Sequence, residues 1–245
     1  PPPLESFGLW VEQLLAESLG KDGKGIIPVA GEPWLEPGSY GRDRLFVYWT
    51  MAGADSAANG KTLERLAAAG HPVIRLELKD RYDLGSEFFR WELATAVAGS
   101  VLGVHPFDQP DVQGSKDNTD RLLEGFRRHG SLPPMAETGN LSGLLGQAQP
   151  GDYLAIMAYI QQNPEVEGLL TELRRRVGER LGIATTLGYG PRFLHSTGAL
   201  HKGGPATGLH LQLTADYTSD APIPGQAYDF GVLATAQAIG DFGAL

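Results

Sequence analysis

The sequence predicts a layered α/β fold of the α/β/α kind with a mainly parallel sheet, and three observations carry that prediction. Strand-type and helix-type segments alternate along most of the chain. The stretch "YLAIMAYI" (153–160) is apolar without interruption, the pattern of a strand buried on both faces. The helix-type segments carry start and stop signals, among them Gly20, Gly70 and Pro164.

Residues 4–19, "LESFGLWVEQLLAESL", place Leu4, Phe7, Trp10, Leu14 and Leu15 at roughly helical spacing, and Gly20 then stops the helix. Leu14 and Leu15 are expected to face the core. "GIIPVAGEP" (25–33) reads as a short buried strand followed by a loop. "RLFVYWTM" (44–51) is rich in β-formers, "KTLERLAAAG" (61–70) is a helix, "PVIRLEL" (72–78) a strand and "SEFFRWELATAVAGSVLG" (86–103) a long helix. Residues 130–152 are poor in charge and rich in Gly, Pro and Ser, as an inserted loop is. The rhythm then resumes with the strand at 153–160, an amphipathic helix at 164–182, strands at 184–190 and 208–216, and a helix at 227–242. The domain reading is a helical lead-in over 1–24 and one α/β domain over 25–245, with the inserted region at about 130–152.

Composition excludes several function classes. The chain has 245 residues, of which 42% are hydrophobic and 20% charged, an ordinary globular balance. Its formal net charge of -9 argues against broad nucleic-acid binding, which needs a basic face. There are no cysteines, so disulfides, thiol catalysis and thiolate metal sites are absent, which suits the cytoplasm. No apolar run approaches the roughly 20 residues of a membrane helix. The opening "PPPLESFGLW" has no initiator methionine and enters a helix at once, and "AIGDFGAL" stops on helix, so the expectation is a fragment of a longer protein.

Three stretches hold candidate chemistry. In "EQLLAESLGK" (12–21), Gln13 and Glu17 are four apart and share a helix face. Glu17 lies in the last turn, where the helix dipole disfavours a carboxylate and raises its pKa toward that of a general base. The same pattern fits a solvent-exposed glutamate before a capping glycine. In "HPFDQPDVQGSKDNTDRLLEGF" (105–126), Asp108 suits an N-cap and Pro110 an early helix position. Gln109 then lies where a helix N-terminus holds anions, and Lys116 reaches the same ligand from two turns on. A capped helix with a surface lysine fits equally. In "GYGPRFLHSTGALHKGGPATG" (188–208), His195 stands at a strand-to-helix corner and can shuttle protons near pH 7. His201 and Lys202 read as rim residues. A glycine-rich surface loop with incidental histidines is the competing reading, and no carboxylate cluster accompanies the histidines to form a metal site.

Together these stretches resemble phosphoglucose isomerase. "ESLGK" (17–21) is similar to that family's E-S-N-G-K signature, and Gln13 matches a glutamine four residues before its glutamate. "HPFDQPDVQGSK" is similar to the N-P-F-D-Q-P-G-V-E-x-x-K run of bacterial members, and "FLHSTGALHKGG" to their L-H-S-x-G-Q stretch. The combination resembles most the isomerase half of fused transaldolase–phosphoglucose isomerase proteins. The resemblance implies sugar-isomerase-type α/β/α architecture, a cytoplasmic dimer, and interconversion of glucose 6-phosphate and fructose 6-phosphate through a cis-enediol. It implies Glu17 as the base, His195 as the ring-opening residue and Lys116 near the ring oxygen or phosphate. Gln13 and Gln109 would bind the sugar phosphate, with Lys21, Ser196 and Thr197 in the same binding set. No metal and no cofactor are implied. The partners would be the substrate and either a second copy or a missing N-terminal domain. Two departures stand out. The order here is Glu17, Lys116, His195, whereas the family places the histidine before the lysine. No Ser/Thr-rich phosphate cradle is present. The alternative function is a non-catalytic sugar-phosphate-binding domain that regulates a partner; an isomerase for another sugar phosphate is a third reading.

Overall fold

A computed structural model describes residues 4–51, 57–108, 112–135, 139–217 and 219–245. The chain is mixed α/β with parallel strands, as the alternation predicts, but the described strands form two sheets rather than one. The first pairs β1 (Phe46–Met51) with β2 (Val73–Leu78) in parallel, joined by α2 (Ala57–Ala68). The second has the order β4-β3-β5, all parallel, with β3 (Tyr153–Tyr159) central between β4 (Ala184–Tyr189) and β5 (Gly208–Thr214). All seven residues of β3 are buried, as its unbroken apolar run requires.

The remaining helices are α1 (Glu5–Leu19), α3 (Leu84–Leu102), α4 (Val112–His129), α5 (Leu141–Leu145), α6 (Pro164–Leu181), α7 (Gly198–Gly203) and α8 (Phe230–Phe242). Their ends follow local chemistry. The Asn163 side chain caps α6 by accepting from the Val166 N–H at 3.0 Å, with Pro164 in the first turn. Asp229 caps α8 in the same way at Val232, 2.9 Å. Leu154, Ile156 and Ala158 of β3 pack with Leu170 and Val177 of α6 as the main core.

Several expectations are corrected here. Residues 25–33 are not a strand: Pro28 and Pro33 lack amide donors, and Gly25 and Gly31 have positive φ of 148° and 61°, which breaks an extended run. Ile27 and Val29 still pack on Tyr153 and Ala184. α4 is described from Val112, and Pro110, read from the sequence as an early helix residue, lies outside the described residues. In α1 the buried apolar residues are Leu4 at its start, Phe7, Val11, Ala16 and Leu19, whereas Leu14 and Leu15 are only partly covered. Gly20 ends α1 without a left-handed turn, at φ -79°. Its role is close packing: a Cβ there would stand 2.5 Å from the Leu200 Cα of α7. No helix among the described residues is long and apolar enough to cross a membrane.

Candidate functional site

The C-terminal end of α1 gathers residues from all three candidate stretches. Gln13 and Glu17 project from one face of α1, and the Gln13 Nε2 donates to Glu17 Oε2 at 3.3 Å. Glu17 is partly buried and its carboxyl lies above the ordinary range. Burial is the main cause; the Gln13 hydrogen bond and the charge of nearby His195 act in the opposite sense. The last turn of α1 carries no basic residue to offset the helix dipole.

His195 arrives from the far side of the chain. It closes a 3₁₀ turn, Arg192–His195, between β4 and α7, which is the strand-to-helix corner read from the sequence. Its ring is exposed, at the C-terminal edge of the three-stranded sheet, where parallel sheets place ligands. Ser196 is tied down, its N–H and hydroxyl both donating to the Phe193 carbonyl at 2.9 and 3.2 Å. Thr197 is buried at the start of α7, and its carbonyl accepts from the His201 N–H at 3.0 Å. α7 is docked on α1 by Leu200 against Gly20 and by the Gly23 N–H donating to the Gly203 carbonyl at 2.9 Å.

The second stretch is joined to the first by Lys21. This lysine is buried, and its Nζ donates to the His105 carbonyl at 2.9 Å, to Asp108 Oδ1 at 3.0 Å and to the Asp108 carbonyl. Lys21 holds Asp108 in its charged form, pulling that carboxyl below its ordinary range. Gln109 lies outside the described residues. Lys116 is exposed one turn into α4, and among the described residues no hydrogen bond or ion pair joins it to Glu17 or His195. Gln13 and Glu17 thus meet directly, His195 lies within electrostatic reach of Glu17, and Lys21 ties residues 105–108 to the end of α1. A partly buried carboxylate with a raised pKa can take a proton from one carbon and return it to the next.

Sequence reasoning missed a buried polar network behind this site. Glu12 accepts from the Ala30 N–H at 2.9 Å, and burial pushes its carboxyl up to about 7. Arg174 donates to the Gly31 carbonyl at 2.8 Å and to the Thr185 carbonyl at 2.8 Å. Glu32 accepts from the Thr185 N–H at 2.9 Å. One signal was present: Glu12 stands four and seven residues before Ala16 and Leu19, on the inner face of α1. His201 and Lys202 are not rim residues. His201 is buried, its Nδ1 within 2.9 Å of the Tyr153 hydroxyl, and desolvation carries its pKa down to about 3. Lys202 forms a buried ion pair with Asp241 at 2.6 Å. These placements follow from chain-distant partners that spacing does not reveal. Among the described residues, no group of three His, Asp or Glu side chains could hold a metal ion.

No family model matches the chain, and no solved structure matches it significantly. Curated sequences do. The chain is 28% identical over 158 residues to the glucose-6-phosphate isomerase of Lactiplantibacillus plantarum, covering 50% of this chain and 35% of that protein. It is 30% identical over 165 residues to that of Heliobacterium modesticaldum, covering 52% and 37%. It is 33% identical over 155 residues to a probable glucose-6-phosphate isomerase of Natronomonas pharaonis, covering 50% and 36%. The match spans little more than a third of the length of these relatives. Over half of its length, this chain is phosphoglucose-isomerase-like.

Proposed function

We propose that this chain is the part of a glucose-6-phosphate isomerase that carries the proton-transferring base. The observation that supports the reading is the partly buried Glu17 carboxyl, bonded by Gln13 and felt electrostatically by His195, within the E-S-L-G-K stretch. Glu17 removes a proton from C2 of glucose 6-phosphate and returns it to C1, through a cis-enediol. A base must be ionised yet hold the proton firmly once taken, which a carboxylate above the ordinary range does better near neutral pH. Gln13 orients Glu17 and donates to the sugar. His195, exposed beside Glu17, assists ring opening, with Ser196 and Thr197 shaping its corner. Lys116 and Gln109 serve the phosphate or ring-oxygen end.

The parent is a larger cytoplasmic protein, fused to transaldolase and dimeric, in which another segment or a second copy supplies the phosphate cradle. Within this chain, residues 1–24 present the base and 25–245 form the supporting domain. The limited share of each relative that is matched supports a larger parent.

The test is a coupled assay with fructose 6-phosphate, detecting glucose 6-phosphate, on this chain, on a longer parent protein and on Glu17→Gln in each. Removal of the base should cost about 10²-fold or more in rate. Equal activity in an active wild type and its variant would overturn the assignment of Glu17. Binding of fructose 6-phosphate without turnover in any form would favour the regulatory binding domain.

A further inference from the structure

We propose that the Gly240–Asp241 step in the last turn of α8 is a positioning element, which holds the helix carrying Lys116 and the corner carrying His195 in one register. This rests on the isomerase reading of the site. α8 is itself anchored on the second sheet. Its Ala238 packs with Met157 and Tyr159 of β3 and with Phe193 of the His195 corner. The Ala238 carbonyl accepts from Gln212 Nε2 of β5 at 3.0 Å. Past that anchor, two neighbouring residues meet two different partners.

Gly240 receives α4. Its carbonyl accepts from the Asn118 side chain at 3.3 Å, and a Cβ at 240 would stand 2.8 Å from Thr119 Oγ1 and 3.1 Å from the Thr119 backbone nitrogen. The two helices approach this closely because residue 240 has no side chain. Lys116 lies within one turn of Asn118 and Thr119 on the same helix and is exposed. Asp241 receives α7. Its carboxylate meets the Lys202 ammonium at 2.6 Å, with side chains 1% and 7% exposed. α7 opens directly after the His195 corner, and its Leu200 is already seated on Gly20 of α1. A pair so buried supplies little net stability, because desolvation offsets the attraction and two apolar side chains would hold about as well. What it adds is a single arrangement, since sliding α7 along α8 would leave a charge buried without its partner. Each link from α4 to the helix that follows His195 is thus a direct contact.

The test uses whichever protein turns over fructose 6-phosphate, this chain or the longer parent. Lys202→Met/Asp241→Leu replaces the pair by apolar side chains and should unfold near the wild-type urea midpoint. Its kcat should nonetheless fall by about 10- to 100-fold, the effect of displacing a reacting group by about 1 Å. Gly240→Ala, which pushes α4 off α8, should instead raise KM by about 10-fold or more with little change in kcat, as loss of a binding group does. Asn118→Ala removes one donor, adds no bulk, and should move KM the same way but less far. The chain has no cysteine, so spin labels at Asp120→Cys on α4 and Arg192→Cys in the corner, both exposed positions, report the register directly. Their distance distribution should shift or broaden in the double variant and in Gly240→Ala. A distribution unmoved in both would overturn the register. A moved distribution with wild-type kinetics would make the step purely structural and overturn the positioning role. Failure of the isomerase reading shows in the wild-type arm alone, where neither protein turns over or binds fructose 6-phosphate, and takes the positioning role with it.

Discussion

Replacing Glu12 by glutamine should remove one component of the pH dependence of stability. Glu12 is 7% exposed, and burial lifts its carboxyl from 4.5 to about 7 against the pull of the Ala30 hydrogen bond and the Arg174 charge. Each factor of ten in proton affinity is about 1.4 kcal/mol, so the folded state pays on the order of 3 kcal/mol to hold this group ionised. The sign follows from proton counts. Between 4.5 and about 7 the folded chain keeps a proton that the unfolded chain has released, so stability falls as pH rises. The contribution is complete below the unfolded value and lost as pH passes through about 7. Glutamine keeps the acceptor for the Ala30 N–H and cannot ionise. Urea unfolding of both proteins from about pH 4.5 to about pH 8 gives the difference in stability at each pH, in which Arg174, Glu32 and other shared groups largely cancel. That difference should move in favour of Glu12→Gln by about 3 kcal/mol across the range. A difference that stays constant with pH would refute the reasoning.

Two further substitutions probe the docking of α7. Gly20→Ala places a Cβ 2.5 Å from the Leu200 Cα and 2.6 Å from the Ala16 carbonyl, both backbone atoms that cannot step aside. It should destabilise by about 1–3 kcal/mol of overpacking, read as a lower urea midpoint; an unchanged midpoint would mean that α1 and α7 slide freely. Lys202→Met strands the buried Asp241 carboxylate, whose pKa burial already raises, and should cost about 3–5 kcal/mol at neutral pH. Adding Asp241→Leu should recover most of that loss in the same unfolding measurement, and failure to recover would show that the pair itself, rather than the stranded charge, supplies the stability.

The strands that could be read from sequence are those whose own residues decide their burial. β3 announces itself because seven consecutive positions are buried and apolar. α6 is equally legible, since Asn163 and Pro164 mark its start and Gly182, at φ 68°, its end. Residues 25–33 were misread because isoleucine and valine advertise a strand while the prolines and positive-φ glycines of the same stretch deny it a ladder. That the strands would divide into two sheets was not legible, because pairing partners are chosen by tertiary packing. In the site, the Gln13–Glu17 pair follows from helical spacing, and His195 from its corner. The inward turn of Lys21, His201 and Lys202 does not, because each is drawn in by partners tens of residues away: His105 and Asp108, Tyr153, and Asp241.

α1 shows how one helix can serve a site and a core at once. Its outer face carries Gln13 and Glu17, and its inner face carries Glu12, Ala16 and Leu19. Beyond its end, two different attachments hold the neighbouring stretches. The His195 corner leads directly into α7, which meets α1 through backbone at Gly20 and through the Gly23–Gly203 hydrogen bond. Such contacts have no spare rotamers, so α7 is held stiffly against the end of α1. Residues 105–108 are held in part by a side chain, Lys21, beside the packing of Pro106 on Gly99 of α3. A long side chain has more ways to give than packed backbone does. Perturbing Gly20 should therefore shift the His195 corner and α1 together, lowering kcat in the fructose 6-phosphate assay, and an unchanged kcat in a folded Gly20→Ala protein would show that the α1–α7 contact does not set the site.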